Sequence, residues 1–283
     1  MKVSWCLIMS KMKWRLLYTG YSDGAMNMAL DEAVMESIKA GEAPPTIRFY
    51  GWEPAAISLG YFQSLEQEVN TVACEEEGID IVRRLTGGRA VLHDDELTYS
   101  LLIAEEFDFL PDSVIESYKI ISQGLLAGLQ ELGVNAEMIS LADKEKKEKS
   151  QSAACFDAPS WYEITVDDKK IVGSAQTRRD GVILQHGSIL HTQDIDKLFS
   201  LLNFKNERRR KRFKEIFTKK ATTIHEASGK KFNLEGLIDA FKKGMEKGLD
   251  ITLEEGRLTD KELKLAQELA EKKYNSKEWN YKR

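Results

Sequence analysis

Cysteine, histidine and long apolar runs are all scarce in this chain of 283 residues. Its three cysteines are scattered and odd in number, which argues against a disulfide framework and favours a reducing, cytoplasmic location. The four histidines form no HxH or HxxxH cluster, so the pattern predicts no metal site. No apolar run approaches the roughly 18 residues of a membrane span, and the short run 3–9 lacks a cleavage signal. Disulfide-stabilised, metal-dependent and membrane-spanning classes are therefore all disfavoured.

The composition that remains is typical of a globular protein, with 42% hydrophobic and 31% charged residues. The length suits one large domain or two unequal ones. Net charge is −5, but residues 205–220 carry a local charge of +7, which leaves −12 for the remainder. Such a distribution is poorly suited to wrapping nucleic acid. The basic segment is either a solvated helix face or a docking site for an acidic protein.

Apolar periodicity and turn residues predict an α+β fold in which a mostly antiparallel sheet is flanked by helices. Helices are predicted at 22–40, 65–77, 113–132, 195–202, 207–219, 234–248 and 259–274. Strands are predicted at 46–50, 55–61, 79–84, 89–93, 97–104, 161–166, 169–176, 181–190 and 251–253. Recognisable structure begins at Trp14, so Met12 is an alternative start to Met1.

Cys155 lies in an irregular segment, Ser152-Ala-Ala-Cys-Phe-Asp-Ala-Pro-Ser160, directly before a predicted strand and in a position typical of a nucleophile. Lys170 follows on the next strand. An ammonium about 4 Å away would favour the thiolate by at most ~4 kcal/mol, or about three pKa units. The alternative is a small buried thiol, the usual state of a free cysteine. The local sequence does not decide between the two.

A glycine pair within Arg84-Leu-Thr-Gly-Gly-Arg-Ala-Val-Leu-His93 forms the second candidate feature. Gly87 and Gly88 let the backbone approach a ligand, and their N–H groups are able to face an anion or oxyanion. The flanking Arg84 and Arg89 suit phosphate or carboxylate recognition. The alternative is an ordinary hairpin. His93 is either a base or a structural hydrogen-bond partner, and the structural role is favoured.

A run of small residues, Gly173-Ser174-Ala175, lies on a later predicted strand. Together with the glycine pair it would leave a narrow apolar slot of the shape that an extended acyl chain needs. A tight strand crossing is the alternative. His186 is interpreted like His93, and Asp157 is expected to fix the Cys155 segment by an Asx turn.

Three motifs, in this order and spacing, resemble the biotin/lipoate–protein ligase superfamily: residues 84–93, 170–176 and 186–190. The resemblance implies a catalytic domain of that type over 25–253. A lead-in at 1–24 and a C-terminal helical extension at 254–283, without a full accessory domain, would flank it. Within the superfamily, Cys-Phe-Asp-Ala-Pro-Ser-Trp-Tyr-Glu163 and the terminal Glu278-Trp-Asn-Tyr-Lys-Arg283 resemble the cysteine-dependent octanoyltransferases of lipoate assembly.

The resemblance implies transfer of octanoyl from acyl carrier protein to a lysine of the glycine-cleavage H protein, with no cofactor and no ATP. Cys155 would be the acyl-thioester nucleophile, and Lys170 would lower its pKa. The residues expected to bind the acyl substrate are Arg84, Gly87, Gly88, Arg89, His93, Gly173, Ser174 and Ala175. Three alternatives remain: an ATP-dependent lipoate–protein ligase in which Lys170 contacts an acyl-adenylate, an amidotransferase that moves octanoyl from H protein to other lipoyl domains, and a non-catalytic lipoyl-domain binder.

Overall fold

A computed structural model describes residues 12–140 and 162–282. Cys155, Asp157 and the irregular segment around them lie outside the described residues. The strands are β1 (Lys13–Ser22), β2 (Thr46–Trp52), β3 (Ala56–Leu59), β4 (Asp80–Arg83), β5 (Val91–His93), β6 (Glu96–Ala104), β7 (Glu137–Ser140), β8 (Tyr162–Val166), β9 (Lys169–Lys170), β10 (Val172–Arg179), β11 (Val182–Leu190) and β12 (Thr252–Glu255).

The helices are α1 (Gly24–Lys39), α2 (Leu65–Glu68), α3 (Thr71–Glu76), α4 (Val114–Glu131), α5 (Ile195–Ser200), α6 (Glu207–Lys220), α7 (Ile224–Ser228), α8 (Leu234–Leu249), α9 (Asp260–Leu269) and α10 (Lys277–Asn280). A 3₁₀ turn at Glu105–Phe107 and a π-helical turn at Ala270–Tyr274 complete the elements. Asp23, Ser113 and Asn233 cap three of the long helices, each accepting from a backbone N–H three residues later.

The main sheet has six strands in the order β10-β11-β6-β2-β1-β12, and two three-stranded sheets have the orders β4-β3-β5 and β7-β8-β9. Parallel pairing occurs between β1 and β12, β1 and β2, and β3 and β4. The other six pairings are antiparallel. The predicted α+β class with mostly antiparallel sheets is confirmed.

Helices cover both faces of the main sheet. Alternate residues of β6 point to opposite faces: Tyr99 and Leu101 belong to the core under α4 and α8, whereas Leu102 packs towards α1. Helices α4 and α8 cross in close backbone contact, since a Cβ placed on Gly244 would lie 2.2 Å from the amide nitrogen of Gly128. On the face of the sheet that α1 covers, helix α9 packs against α1.

Three sequence predictions differ from the structure. The predicted helix 65–77 is two short helices, because Val69 is extended and Asn70 caps the second by accepting from the amide of Ala73. The predicted strand 169–176 divides at Ile171, so that β9 pairs with β8 while β10 joins the main sheet beside β11. Strands β1 and β7 were not predicted. Because β1 lies inside the sheet, helices cover both of its faces and its apolar residues alternate poorly.

Candidate active site

A cavity of about 330 Å³ opens between the Gly87–Gly88 loop, β10, β11 and the first turns of α4. Ligand sites in proteins typically measure about 300–1,000 Å³, so this one suits a small or slender ligand. Nine of the ten residues predicted from the sequence line it: Arg84, Gly87, Gly88, Arg89, His93, Lys170, Gly173, Ser174 and Ala175. The tenth, Cys155, lies outside the described residues. Segments far apart in the chain thus meet around one cavity.

Arg84 holds the Gly87–Gly88 loop in place through hydrogen bonds. Its guanidinium donates to the carbonyl and hydroxyl oxygens of Ser58 at 2.9 and 3.0 Å and to the Thr86 hydroxyl at 3.1 Å. It also donates to the carbonyls of Gly87 and Arg89, each at 2.8 Å. A guanidinium has five N–H donors, and all are used here. Burial lowers the pKa of Arg84 to about 10, which still leaves it charged at neutral pH. Arg84 therefore shapes the loop, and an incoming anion would meet backbone N–H groups or Arg89.

Glycine is required in this loop for steric reasons. Gly88 has a φ of +97°, in the region that side chains disfavour. The loop also lies against Gly60, where an added Cβ would sit only 2.0 Å from the carbonyl oxygen of Gly88. The sequence pattern identified the Gly87–Gly88 pair, but not Gly60, which lies far upstream.

The C-terminal segment anchors the strand that leads into the loop. The amide of Arg83 donates to Asn280 Oδ1 at 2.8 Å, and the Arg83 guanidinium donates to the Asn280 carbonyl at 2.7 Å. The indole of Trp279 donates to the Arg83 carbonyl at 2.8 Å. Helix α10 therefore supports the cavity wall, a role that local sequence did not reveal.

His93 is held by a buried network below the loop. Its Nδ1 lies 2.7 Å from Glu96 Oε1, and its Nε2 lies 2.7 Å from the Ser58 hydroxyl. Its ring stacks on Trp52 with centroids 4.1 Å apart, and the Trp52 indole donates to Thr98 at 2.7 Å. Since both ring nitrogens are engaged, the geometry supports the structural role for His93.

His186 has the same arrangement in a second network. Its Nε2 lies 2.6 Å from the Thr86 hydroxyl, and its Nδ1 lies 3.2 Å from Asp31 Oδ2. Burial lowers the pKa of His186, although Asp31 acts in the opposite direction. Burial by itself would raise the pKa of Asp31, but Arg48 at 2.7 Å and hydrogen bonds from His186 and Ser100 lower it. The sequence analysis missed Asp31 and Arg48, because they lie on α1 and β2 with no motif around them.

The small residues of β10 line one side of the cavity. A Cβ on Gly173 would have no described atom within 4 Å, so the backbone here faces the cavity directly. By contrast, a Cβ on Gly187 would lie 2.5 Å from the Gly173 carbonyl oxygen, which makes that glycine a packing requirement. The Ser174 hydroxyl accepts from Tyr99 at 2.8 Å, and Tyr99 in turn accepts from Gln185 at 2.9 Å. Burial raises the pKa of Tyr99, which keeps the phenol protonated.

Lys170 lies in the cavity wall with only 12% of its side chain exposed. Its ammonium is 3.5 Å from Oε1 of Glu163, whose side chain is equally buried. The carbonyl of Lys170 accepts from the amide of Thr222 at 2.9 Å, which fixes the backbone. The sequence analysis assigned no role to Glu163. In the β8–β9 hairpin Lys170 pairs with Thr165, so Glu163 two residues earlier faces the same side, a signal that the hairpin register contains.

None of the helices in 12–140 and 162–282 combines the length and apolar character of a membrane span. Within the same two ranges, no three His, Cys, Asp or Glu side chains gather in a way that could hold a metal ion.

Residues 23–246 match the family described as the lipoyl protein ligase A/B catalytic domain. Since the match covers most of the chain, the protein belongs to this family, and the superfamily expected from the three motifs is confirmed. Among the solved structures, a bi-partite lipoate protein ligase from Thermoplasma acidophilum has a TM-score of 0.78 and 28% identity, covering 95% of this chain and 96% of that one. A lipoate-protein ligase A bound with ATP has a TM-score of 0.77 and 27% identity, with 95% and 99% covered.

Within the family, the chain is similar in sequence to curated proteins named octanoyltransferase LipM. The protein of that name from Brevibacillus brevis is 52% identical over 274 residues, which cover 96% of this chain and 99% of the relative. The one from Bacillus subtilis is 48% identical over 278 residues, covering 97% and 100%. The resemblance to the octanoyltransferase branch is thus confirmed along nearly the whole length of the chain.

Proposed function

We propose that this protein is the octanoyltransferase of lipoate biosynthesis, moving octanoyl from acyl carrier protein to a lysine of the glycine-cleavage H protein through a Cys155 thioester. The observation that carries the proposal is the cavity of about 330 Å³ itself. It is bounded by Gly87, Gly173 and Ala175, with Lys170 in its wall, in a chain 48–52% identical to proteins named octanoyltransferase LipM.

The reaction proceeds in two balanced steps. The Cys155 thiolate attacks the carbonyl carbon of the octanoyl thioester, a new C–S bond forms, and the carrier protein leaves as its thiolate. The acceptor lysine amine then attacks the acyl-enzyme, the amide bond forms, the C–S bond to Cys155 breaks, and the proton lost by the amine passes to the departing sulfur. The first step exchanges one thioester for another, and the second converts a thioester into a more stable amide. No ATP is needed.

The described residues supply the remaining catalytic contributions. Lys170 provides a cation that stabilises the thiolate form of Cys155. Glu163, 3.5 Å from the ammonium, orients Lys170. Backbone N–H groups of the Gly87–Gly88 loop, held rigidly by Arg84, are the proposed donors to the oxyanion. The open backbone at Gly173 leaves room for the methylene chain.

Intact-protein mass spectrometry tests the proposal. The protein is incubated with octanoyl-carrier protein in the absence of ATP, and wild type is compared with Cys155→Ala and Cys74→Ala. Wild type and Cys74→Ala should each gain about 126 Da, the mass of octanoyl replacing hydrogen, while Cys155→Ala gains nothing. Cys74 is the matched control because it is a buried cysteine that does not line the cavity.

Other outcomes favour the alternatives. Acyl transfer that requires ATP and free octanoate would support the lipoate–protein ligase, the activity named for the structural relative bound with ATP. An adduct formed from octanoyl-H protein but not from octanoyl-carrier protein would support the amidotransferase. If the acyl-enzyme forms and then delivers octanoyl to H protein, the full proposal stands.

A further inference from the structure

Helix α6 is amphipathic, and its apolar side fixes its orientation. Phe213 and Phe217 pack into an aromatic cluster, with ring centroids 6.0 Å from Phe204 and 5.8 Å from Phe199 respectively. Both aromatic residues lie on one stripe of the helix at the spacing of one turn. These contacts fix the rotation of α6 about its own axis, so the opposite side of the helix faces solvent.

That solvent-facing side is strongly cationic. Of the basic residues on α6, Arg210 pairs with Glu207 at 3.4 Å and Lys214 pairs with Asp196. Four others, here called the basic face, are exposed and share one side of the helix: Arg208, Lys211, Arg212 and Lys219. Across the described parts of the chain, none of these four side chains makes an ion pair or hydrogen bond.

Folding alone does not account for this arrangement. Arg208 and Arg212 are four residues apart on the same helix, a spacing at which like charges repel. Arg208 also lies in the first turn, where the positive end of the helix dipole disfavours a cation. Glu215 lies on the same side, four residues from both Lys211 and Lys219, yet within the described residues it makes no ion pair with them. The remainder of the chain carries −12, and its acidic side chains are likewise not brought to these four cations.

The basic face begins next to the candidate active site. Ala221, which directly follows α6, forms a parallel bridge with Lys170, and the Thr222 amide donates to the Lys170 carbonyl at 2.9 Å. The helix has 14 residues, so at 1.5 Å per residue it is about 21 Å long, and its C-terminal end is the part that lies beside Lys170. A protein bound along α6 would therefore contact the chain next to Lys170.

We propose that the basic face docks an acidic surface of the protein that delivers the acyl thioester, and this inference rests on the function proposed above. A single cationic strip on an otherwise anionic chain attracts an acidic protein and orients it towards the cavity. The same distribution disfavours nucleic acid, whose continuous negative charge would also meet the −12 remainder.

The rate of acyl-enzyme formation tests the docking. Arg208→Glu, Lys211→Glu and Arg212→Glu are combined in one variant. The control variant combines Lys230→Glu, Lys243→Glu and Lys264→Glu, exposed lysines in the loop before α8, on α8 and on α9, and it changes the net charge equally. Each is acylated by octanoyl-carrier protein and by a small octanoyl thioester such as octanoyl-N-acetylcysteamine, over a range of salt concentrations.

The basic-face variant should be acylated at least tenfold more slowly by the carrier protein at low salt, and the deficit should shrink as salt screens the charges. Its rate with the small thioester and its unfolding midpoint should match those of the control. Equal rates for both variants with the carrier protein would overturn the docking proposal. A wild type that neither thioester acylates would instead refute the proposed function, so the two failures are distinguishable.

Discussion

Gly173 offers the sharpest test of the proposed acyl slot, through the variant Gly173→Val. A Cβ at this position meets no described atom within 4 Å, and it points into a cavity of about 330 Å³. Valine is well tolerated in strands, so β10 should still form. The three added carbons would occupy the space of about three methylenes of the substrate, each worth about 0.8 kcal/mol of burial. The lost burial of about 2.4 kcal/mol corresponds to about a 60-fold loss of kcat/KM for octanoyl.

The assay is acyl-enzyme formation from octanoyl, hexanoyl and butanoyl thioesters. Gly173→Val should lose activity with octanoyl but little with butanoyl, and Gly173→Ala should fall between, with about a fourfold loss for octanoyl. Gly187→Ala is the contrasting variant. Its Cβ would lie 2.5 Å from the Gly173 carbonyl, so it should lower stability and slow all three substrates alike. A folded Gly173→Val enzyme that keeps the wild-type preference among chain lengths would refute the assignment of the slot.

Three further predictions concern charge and protonation. Lys170→Met should slow acylation of the candidate nucleophile by up to about 30-fold at pH 7, because a thiol with a pKa near 8.5 is only about 3% ionised there, and the rate should recover at higher pH. Lys169→Met should have no such effect, and a loss in Lys170→Met that persists at pH 9.5 would contradict this role. Burial, and to a smaller extent the charge of Glu77, raises the pKa of Cys74 to about 11. Iodoacetamide should therefore leave Cys74 unmodified in the native protein at pH 7 and label it only after unfolding, which peptide mass mapping would detect. Burial by itself would raise the pKa of Glu262, but Arg15 at 2.6 Å and Thr259 lower it, so the protein should lose stability as the pH falls below the unfolded value of 4.5. Glu262→Gln should lower the free energy of unfolding by about 3–5 kcal/mol at pH 7, measured by urea unfolding. Between pH 5 and 3 the stability of this variant should change less than that of wild type.

The glycine loop illustrates how far local sequence was informative. Gly87 and Gly88 stood out because two glycines after a strand let the backbone approach a ligand closely, and Gly88 does adopt a positive φ. The role of Arg84 was less apparent. A guanidinium group is suited to binding an anion, yet all five N–H donors of Arg84 bind the loop and Ser58. Which partner a guanidinium finds depends on what the fold places around it.

The long-range hydrogen bonds around His186 and Arg83 could not be predicted from local sequence. Asp31 reaches His186 from 155 positions away, and Asn280 reaches Arg83 from 197 positions away. Such contacts depend on the order of strands within the sheets. Neither periodicity nor turn chemistry encodes that order, because both describe only neighbours along the chain.

The sequence by itself determined the α+β class, most helices and strands, the family motifs and the basic segment at 205–220. These follow from apolar periodicity, capping residues and charge, which act over a few residues. Only the tertiary structure decided that Lys170 pairs with Glu163 in the cavity wall and that Gly173 is open while Gly187 is crowded. It also decided that the end of α6 lies beside Lys170. Burial and distance between segments set these features, and neither quantity exists until the strands have paired.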